Sequence, residues 1–229
     1  MTRTCDLLVR SQTLYPTELR ARNKPSITRY SVRTVTALTT NRPVWIIACL
    51  SNVMAFRVKE IDPTRVPALA ELENQSGPSN FFRTMAYRPA AMADFARLYT
   101  DIMGAGTLDR RLKDMVYLAV SMVNECKYCR SHHEVLAREA GITDREIEDI
   151  QNETDQGFTP RERMALRYAR EMTREAEPDG DTQDTLWKLF TTEQLVELTL
   201  MVSLANFTNR FSNGLGIPVE GKEVNMTAP

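Results

Sequence analysis

Asp114-Met115-Val116-Tyr117-Leu118-Ala119-Val120-Ser121-Met122-Val123-Asn124-Glu125-Cys126-Lys127-Tyr128-Cys129-Arg130-Ser131-His132-His133 is where the helical pattern and the chemistry of this 229-residue chain meet. A carboxylate heads an apolar run, two of the four cysteines follow three apart, and the only two histidines come at once after them. Free cysteines are often simple core residues. In a chain with so few of them, a Cys-x-x-Cys pair is also a redox or metal signature.

The local pattern favours redox. Asn124 can cap a new helix, setting Cys126 and Cys129 in its first turns, where unpaired N–H groups and the helix dipole favour a thiolate. Lys127 and Arg130 add positive charge, Glu125 opposes it, and the balance predicts a lowered thiol pKa. His133 lies one turn beyond Cys129, so a neutral imidazole there can take the thiol proton. His132 points about 100° away and reads as a surface residue. On one straight helix Asp114 would stand roughly 18 Å from Cys126. If the chain instead reverses near Asn124 into a helical hairpin, Asp114 and His133 reach similar heights, and a relay from carboxylate to imidazole to thiol results. Asp114 reads equally well as a negative charge suited to the start of its helix.

An acid, eleven residues, then Cys-x-x-Cys-x-x-x-His resembles the signature of the alkylhydroperoxidase D-like branch of the carboxymuconolactone decarboxylase superfamily. Leu108-Asp109-Arg110-Arg111-Leu112, Asn209-Arg210-Phe211 and Leu215-Gly216-Ile217-Pro218 are similar to its peroxidase-related members, and the likeness spans roughly Phe56 to Glu220. The resemblance implies a compact all-α domain and a thiol-dependent peroxidase acting on an alkyl hydroperoxide or hydrogen peroxide. Cys129 would attack and become a sulfenic acid, Cys126 would resolve it to a disulfide, His133 would accept the proton, and Asp114 would orient His133. It further implies a dithiol protein reductant, thioredoxin-like or dihydrolipoyl, and a homo-oligomer, trimer or hexamer. No cofactor and no metal are expected. The family usually carries Glu where Asp114 stands. The missing methylene shortens the reach by roughly 1.3 Å, about a bond's worth, which calls for a bridging water or weakens the relay.

Outward from this stretch, apolar residues keep helical spacing and no strand alternation develops. Thr107 is the expected cap of the helix that carries Asp114, with Leu108, Leu112, Met115, Ala119 and Met122 on one face and further apolar residues on the others, so the helix reads as central or covered by a partner subunit. Earlier helices are expected over Pro67–Glu73, after Ser79, and after Pro89, where Phe95 and Tyr99 are core positions first and site walls second. Later ones follow capping boxes at Thr143 and Thr159. The last runs from Thr192 to about Ser212, with fraying expected after Pro218.

Residues 1–53 differ in kind: a net charge of +6, rich in Ser and Thr, without a helical period, against −7 for the remainder. They read as a disordered extension, transit-like or upstream of a true start at Met54. The helical domain is then 54–220, followed by a flexible tail, 221–229. An overall charge of −1 gives no argument for nucleic acid or a membrane surface, and no stretch approaches ~20 apolar residues. Sparse cysteines fit a reducing compartment, hence a cytoplasmic protein, or a mitochondrial one if the extension is a transit peptide. Three alternatives stay open: a lactone decarboxylase, a zinc module using Cys126, Cys129 and His132 or His133, and a catalytically idle helical oligomer.

Overall fold

The computed structural model describes residues 58–154 and 156–221, so the expectations for 1–53, with Cys5 and Cys49, and for 222–229 lie outside the described residues. After a 3-10 turn at Pro63–Arg65 come nine helices and, among the described residues, no strand: α1 Pro67–Ser76, α2 Asn80–Met85, α3 Pro89–Met103, α4 Arg110–Val123, α5 Lys127–Glu139, α6 Asp144–Asn152, α7 Pro160–Arg174, α8 Gly180–Leu189 and α9 Thr192–Leu215. The domain is all-α, as its periodicity requires.

At the centre stands α4. Ten consecutive residues, Leu112 to Ser121, are buried, which covers every face of the helix. One side joins the large core with α1, α2, α3, α8 and α9. Its Met115, Leu118 and Ala119 instead meet Ala137 of α5, Ile147 and Ile150 of α6, and Leu166 of α7. The neighbours are thus intramolecular, and no partner subunit is needed to explain this helix.

Two termini differ from their sequence reading. Asp109, not Thr107, caps α4, its carboxylate accepting from the Leu112 N–H at 2.8 Å. Thr107 instead donates to Glu197 of α9, as does the Leu108 N–H at 3.1 Å. That carboxylate also pairs with the buried Lys113, whose Nζ donates to the carbonyls of Ile102 at 2.9 Å and Gly104 at 2.7 Å. A Cβ at Gly106 would meet the Glu197 carboxylate, so glycine allows the loop to close over it. This knot of paired buried charge fixes the approach to α4. The boxes at Thr143 and Thr159 are both formed, and a third, Thr191 with Gln194, starts α9. Helix α1 continues to Ser76 and α9 to Leu215, past the expected ends.

The end of the described chain is tied down where fraying was expected. The Glu220 carboxylate accepts from the Asn80 N–H at 2.7 Å, the Tyr128 hydroxyl at 2.8 Å and His132 Nε2 at 2.7 Å. Burial opposes its ionisation, but His132 first and then the other donors hold its pKa down to about 2. His132 is accordingly not a free surface group. It anchors Glu220.

Candidate active site

Three residues make the reversal between α4 and α5. Asn124, expected to cap α5, ends α4 instead, in right-handed helical backbone. Glu125 then takes a left-handed conformation, φ 51°. Its N–H donates to the Met122 carbonyl at 3.1 Å, and the Cys126 N–H donates to the Ser121 carbonyl at 2.9 Å. That pair of bonds is a Schellman closure, with Glu where glycine usually relieves the Cβ penalty. Cys126 is also the N-cap of α5, its Sγ accepting from the Cys129 N–H at 3.3 Å. One residue closes one helix and opens the next.

Both thiols are free and buried, and they are unequal. The Cys129 pKa is lowered to about 7, first by the hydrogen bond from Cys126; burial works against this, and Ser212, Asn209 and Thr208 of α9 assist. Ser212 Oγ stands 3.7 Å from Cys129 Sγ. Cys126 moves the opposite way, well above the ordinary thiol range, because it is the partner that keeps its proton and because it is buried. The acidity foreseen from Lys127 and Arg130 therefore belongs to one thiol only, and hydrogen bonds are its leading causes. Arg130 instead pairs with Glu134 and donates to Gln151 at 2.8 Å.

Of the polar cage on α9, sequence singled out Asn209 for its resemblance alone, and Thr208 and Ser212 not at all. Thr208, Asn209 and Ser212 are all buried, in a helix otherwise apolar toward the core. Asn209 Nδ2 donates to Ser121 Oγ at 3.2 Å and its Oδ1 accepts from Asn124 at 3.0 Å, which locks α9 to the end of α4. In α9, polar residues among buried apolar ones were the available signal.

The hairpin brings Asp114 and His133 together. Asp114 lies in the second turn of α4, fully buried, so it is not a solvated charge at the helix start. One carboxylate oxygen pairs with Arg110 Nε. The other, Oδ1, faces His133 Nδ1 at 3.7 Å, and neither of these two atoms has a hydrogen-bond partner. The separation exceeds a ~2.9 Å hydrogen bond by about 0.8 Å, within the reach the shorter acid forfeits. The imidazole lies flat on the Tyr117 ring, centroids 3.5 Å apart, and its Nε2 is 3.4 Å from the Tyr99 hydroxyl. Burial pushes the His133 pKa down, with Asp114 opposing, so the ring is neutral at pH 7. Among the described residues no hydrogen bond joins His133 to Cys129, and no group of three or more His, Cys, Asp or Glu side chains is arranged to hold a metal ion.

A measurable consequence concerns Cys129 alone. Its thiolate fraction should rise with pH through a midpoint near 7, read as the pH dependence of iodoacetamide labelling. Ser212→Ala removes a donor to the thiolate and should move the midpoint upward, slowing labelling at pH 7 severalfold. An unmoved midpoint would exclude Ser212 from the cage.

Residues 89–171 match the carboxymuconolactone decarboxylase family. The uncharacterized protein YdfG of Bacillus subtilis (strain 168) is 28% identical over 116 residues, covering 48% of this chain and 77% of its own. Among solved structures, an uncharacterized peroxidase-related protein from Ralstonia eutropha JMP134, described as an alkylhydroperoxidase AhpD core, superposes with a TM-score of 0.64 at 20% identity, over 72% of this chain and 92% of its own. The debrominase Bmp8, in complex with 2,3,4-tribromopyrrole, gives 0.62 at 20% identity, over 75% and 94%. At such identities the structural likeness speaks for the fold.

Proposed function

We propose that this chain, whose residues 89–171 match the carboxymuconolactone decarboxylase family and whose fold is shared with alkylhydroperoxidase D-like, peroxidase-related proteins, is a thiol-dependent peroxidase of that superfamily. The observation that carries the reading is the unequal thiol pair. Cys129, near half-ionised at neutral pH, is the attacking thiolate, and Cys126, one turn away and holding its proton, is the resolving thiol. Attack on the peroxide gives a sulfenic acid at Cys129. Condensation with Cys126 releases water and forms a disulfide, which a dithiol protein returns to the thiols.

Thiol counting tests it. Reduced protein treated with one equivalent of tert-butyl hydroperoxide should lose two of its four thiols, with the disulfide mapping to Cys126 and Cys129; retention of all four overturns the reading. A second reading, dehalogenation of an aromatic compound, is favoured by the aromatic wall beside the site. Phe207, half exposed, stacks on Phe95 at 5.1 Å, and Phe95 adjoins Tyr99 at 6.2 Å. Bromide release from 2,3,4-tribromopyrrole without thiol loss to peroxide would select it.

The proposed enzyme is a homo-oligomer, supported by the stripe of Val196, Leu200 and Phe207 that α9 leaves exposed on one face. Light scattering at micromolar concentration should report a multiple of the 26.1 kDa chain; a monomer mass removes the proposal.

A further inference from the structure

Neither ring nitrogen of His133 is hydrogen-bonded to the thiol: Nδ1 is unpartnered, and Nε2 has the Tyr99 hydroxyl. Nδ1 faces Asp114 and Nε2 faces the Tyr99 hydroxyl, while stacking on Tyr117 stops the ring from turning. The hydroxyl of Tyr99, at 3.4 Å from Nε2, is the group through which an Asp114–His133 pair can reach outward from this pocket.

Tyr99 is built for that position. It sits one turn beyond Phe95 on α3, with its ring against Phe95 at 6.2 Å and edge-on to Tyr117 at 6.4 Å. Asp114, His133, Tyr117 and Cys129 are all buried, whereas Tyr99 is partly exposed and so is the one member of the set that an entering molecule meets from outside. Burial first, and then the charges of Asp114 and Cys129, keep the phenol protonated throughout the neutral range. A hydroxyl that never ionises on its own can still pass a proton in a concerted step, giving one and receiving another.

We propose that Tyr99 is the acid that protonates the leaving oxygen of an organic hydroperoxide, and that His133 recharges it; this rests on the thiol-peroxidase reading above. The atoms balance as follows. When Cys129 ionises, its proton is released to solvent, and His133 Nε2 takes one up through the partly exposed Tyr99 hydroxyl. The thiolate attacks the terminal oxygen of ROOH, the S–O bond forms as the O–O bond breaks, sulfur is oxidised to the sulfenic acid, and the peroxide is reduced to an alkoxide. Tyr99 gives its proton to the alkoxide and takes one from Nε2. The sum is thiol plus ROOH to sulfenic acid plus ROH, with His133 neutral again.

The test is the leaving group. An alkyl hydroperoxide expels an alkoxide, which needs a proton, whereas a peroxy acid expels a carboxylate, which does not. In single-turnover oxidation of the reduced protein, Tyr99→Phe should slow tert-butyl hydroperoxide by about 100-fold or more and leave peroxyacetic acid nearly unchanged. The labelling midpoint of Cys129 and the circular dichroism should stay as in the wild type, since phenylalanine keeps the ring. His133→Asn added to Tyr99→Phe should cost little more, because the two act in series. Equal slowing of both oxidants assigns Tyr99 a packing role and overturns the proposal, as does unchanged oxidation by both. A wild-type protein inert to both oxidants instead brings down the peroxidase reading itself.

Discussion

Cys129→Ser should reduce peroxide consumption to the uncatalysed level, while Cys126→Ser should still consume one equivalent of peroxide per chain and then stop with a sulfenic acid at Cys129. The asymmetry follows from the caps as well as from the acidities. Serine is among the best N-caps, so Cys126→Ser keeps the bond to the Cys129 N–H, and with it the start of α5. Its hydroxyl can also still donate to the Cys129 sulfur, the first cause of that thiol's low pKa. The variant therefore loses the resolving sulfur without losing the site's geometry. A dimedone adduct at Cys129 after one equivalent of peroxide, detected by mass spectrometry, is the expected signature. Full turnover by Cys129→Ser would reverse the roles of the two thiols.

The second large effect is expected at Asp114. Asp114→Asn removes the charge that raises the His133 pKa against burial, so the imidazole becomes a weaker base and single-turnover oxidation should fall about 10- to 100-fold. Asp114→Glu extends the acid toward Nδ1 and should close a gap that now stands at 3.7 Å. Its expected result is a faster reaction, at a cost of about 1–3 kcal/mol in stability for one methylene added to a fully buried site. Stopped-flow rates across pH and a thermal melt measure both. If neither change alters the rate or its pH profile, Asp114 serves only to anchor Arg110.

The hairpin and its two thiols were legible because their signals are local. A helix apolar on every side is buried on every side, and α4 obeys that rule over ten residues. Asp114 and His133 could be paired from one stretch of sequence once the chain was allowed to turn. What could not be read depended on distant partners or on an unusual residue in a familiar role. Asn124 is the better cap by type, but the left-handed Glu125 carries the chain one step further before α5 begins, and a sulfur takes the capping place. Tyr99 keeps the period of a core residue, so its hydroxyl carried no separate signal. Ser212 approaches Cys129 from 83 positions away and Glu220 reaches Asn80 across 140, separations over which spacing says nothing. Glu220 fell in a stretch expected to fray because its restraint is entirely tertiary.

In the proposed thiol–disulfide cycle, the cysteine cap would tie redox state to helix stability. As a thiol, Cys126 offers its sulfur lone pairs to the Cys129 N–H; bonded to Cys129 in the proposed disulfide, that sulfur would be a poorer acceptor for the same N–H. An N-cap is worth about 1 kcal/mol, and for a two-electron couple that corresponds to roughly 20 mV. Its loss on oxidation falls on the disulfide form, making the pair more oxidising and more readily reduced than the same two sulfurs on an independently capped helix. In the proposed cycle the first turn of α5 would work as a spring wound by oxidation and released by the reductant. Amide hydrogen exchange at Cys129 and Arg130 should quicken in the oxidised protein, reporting the thiol state through the backbone.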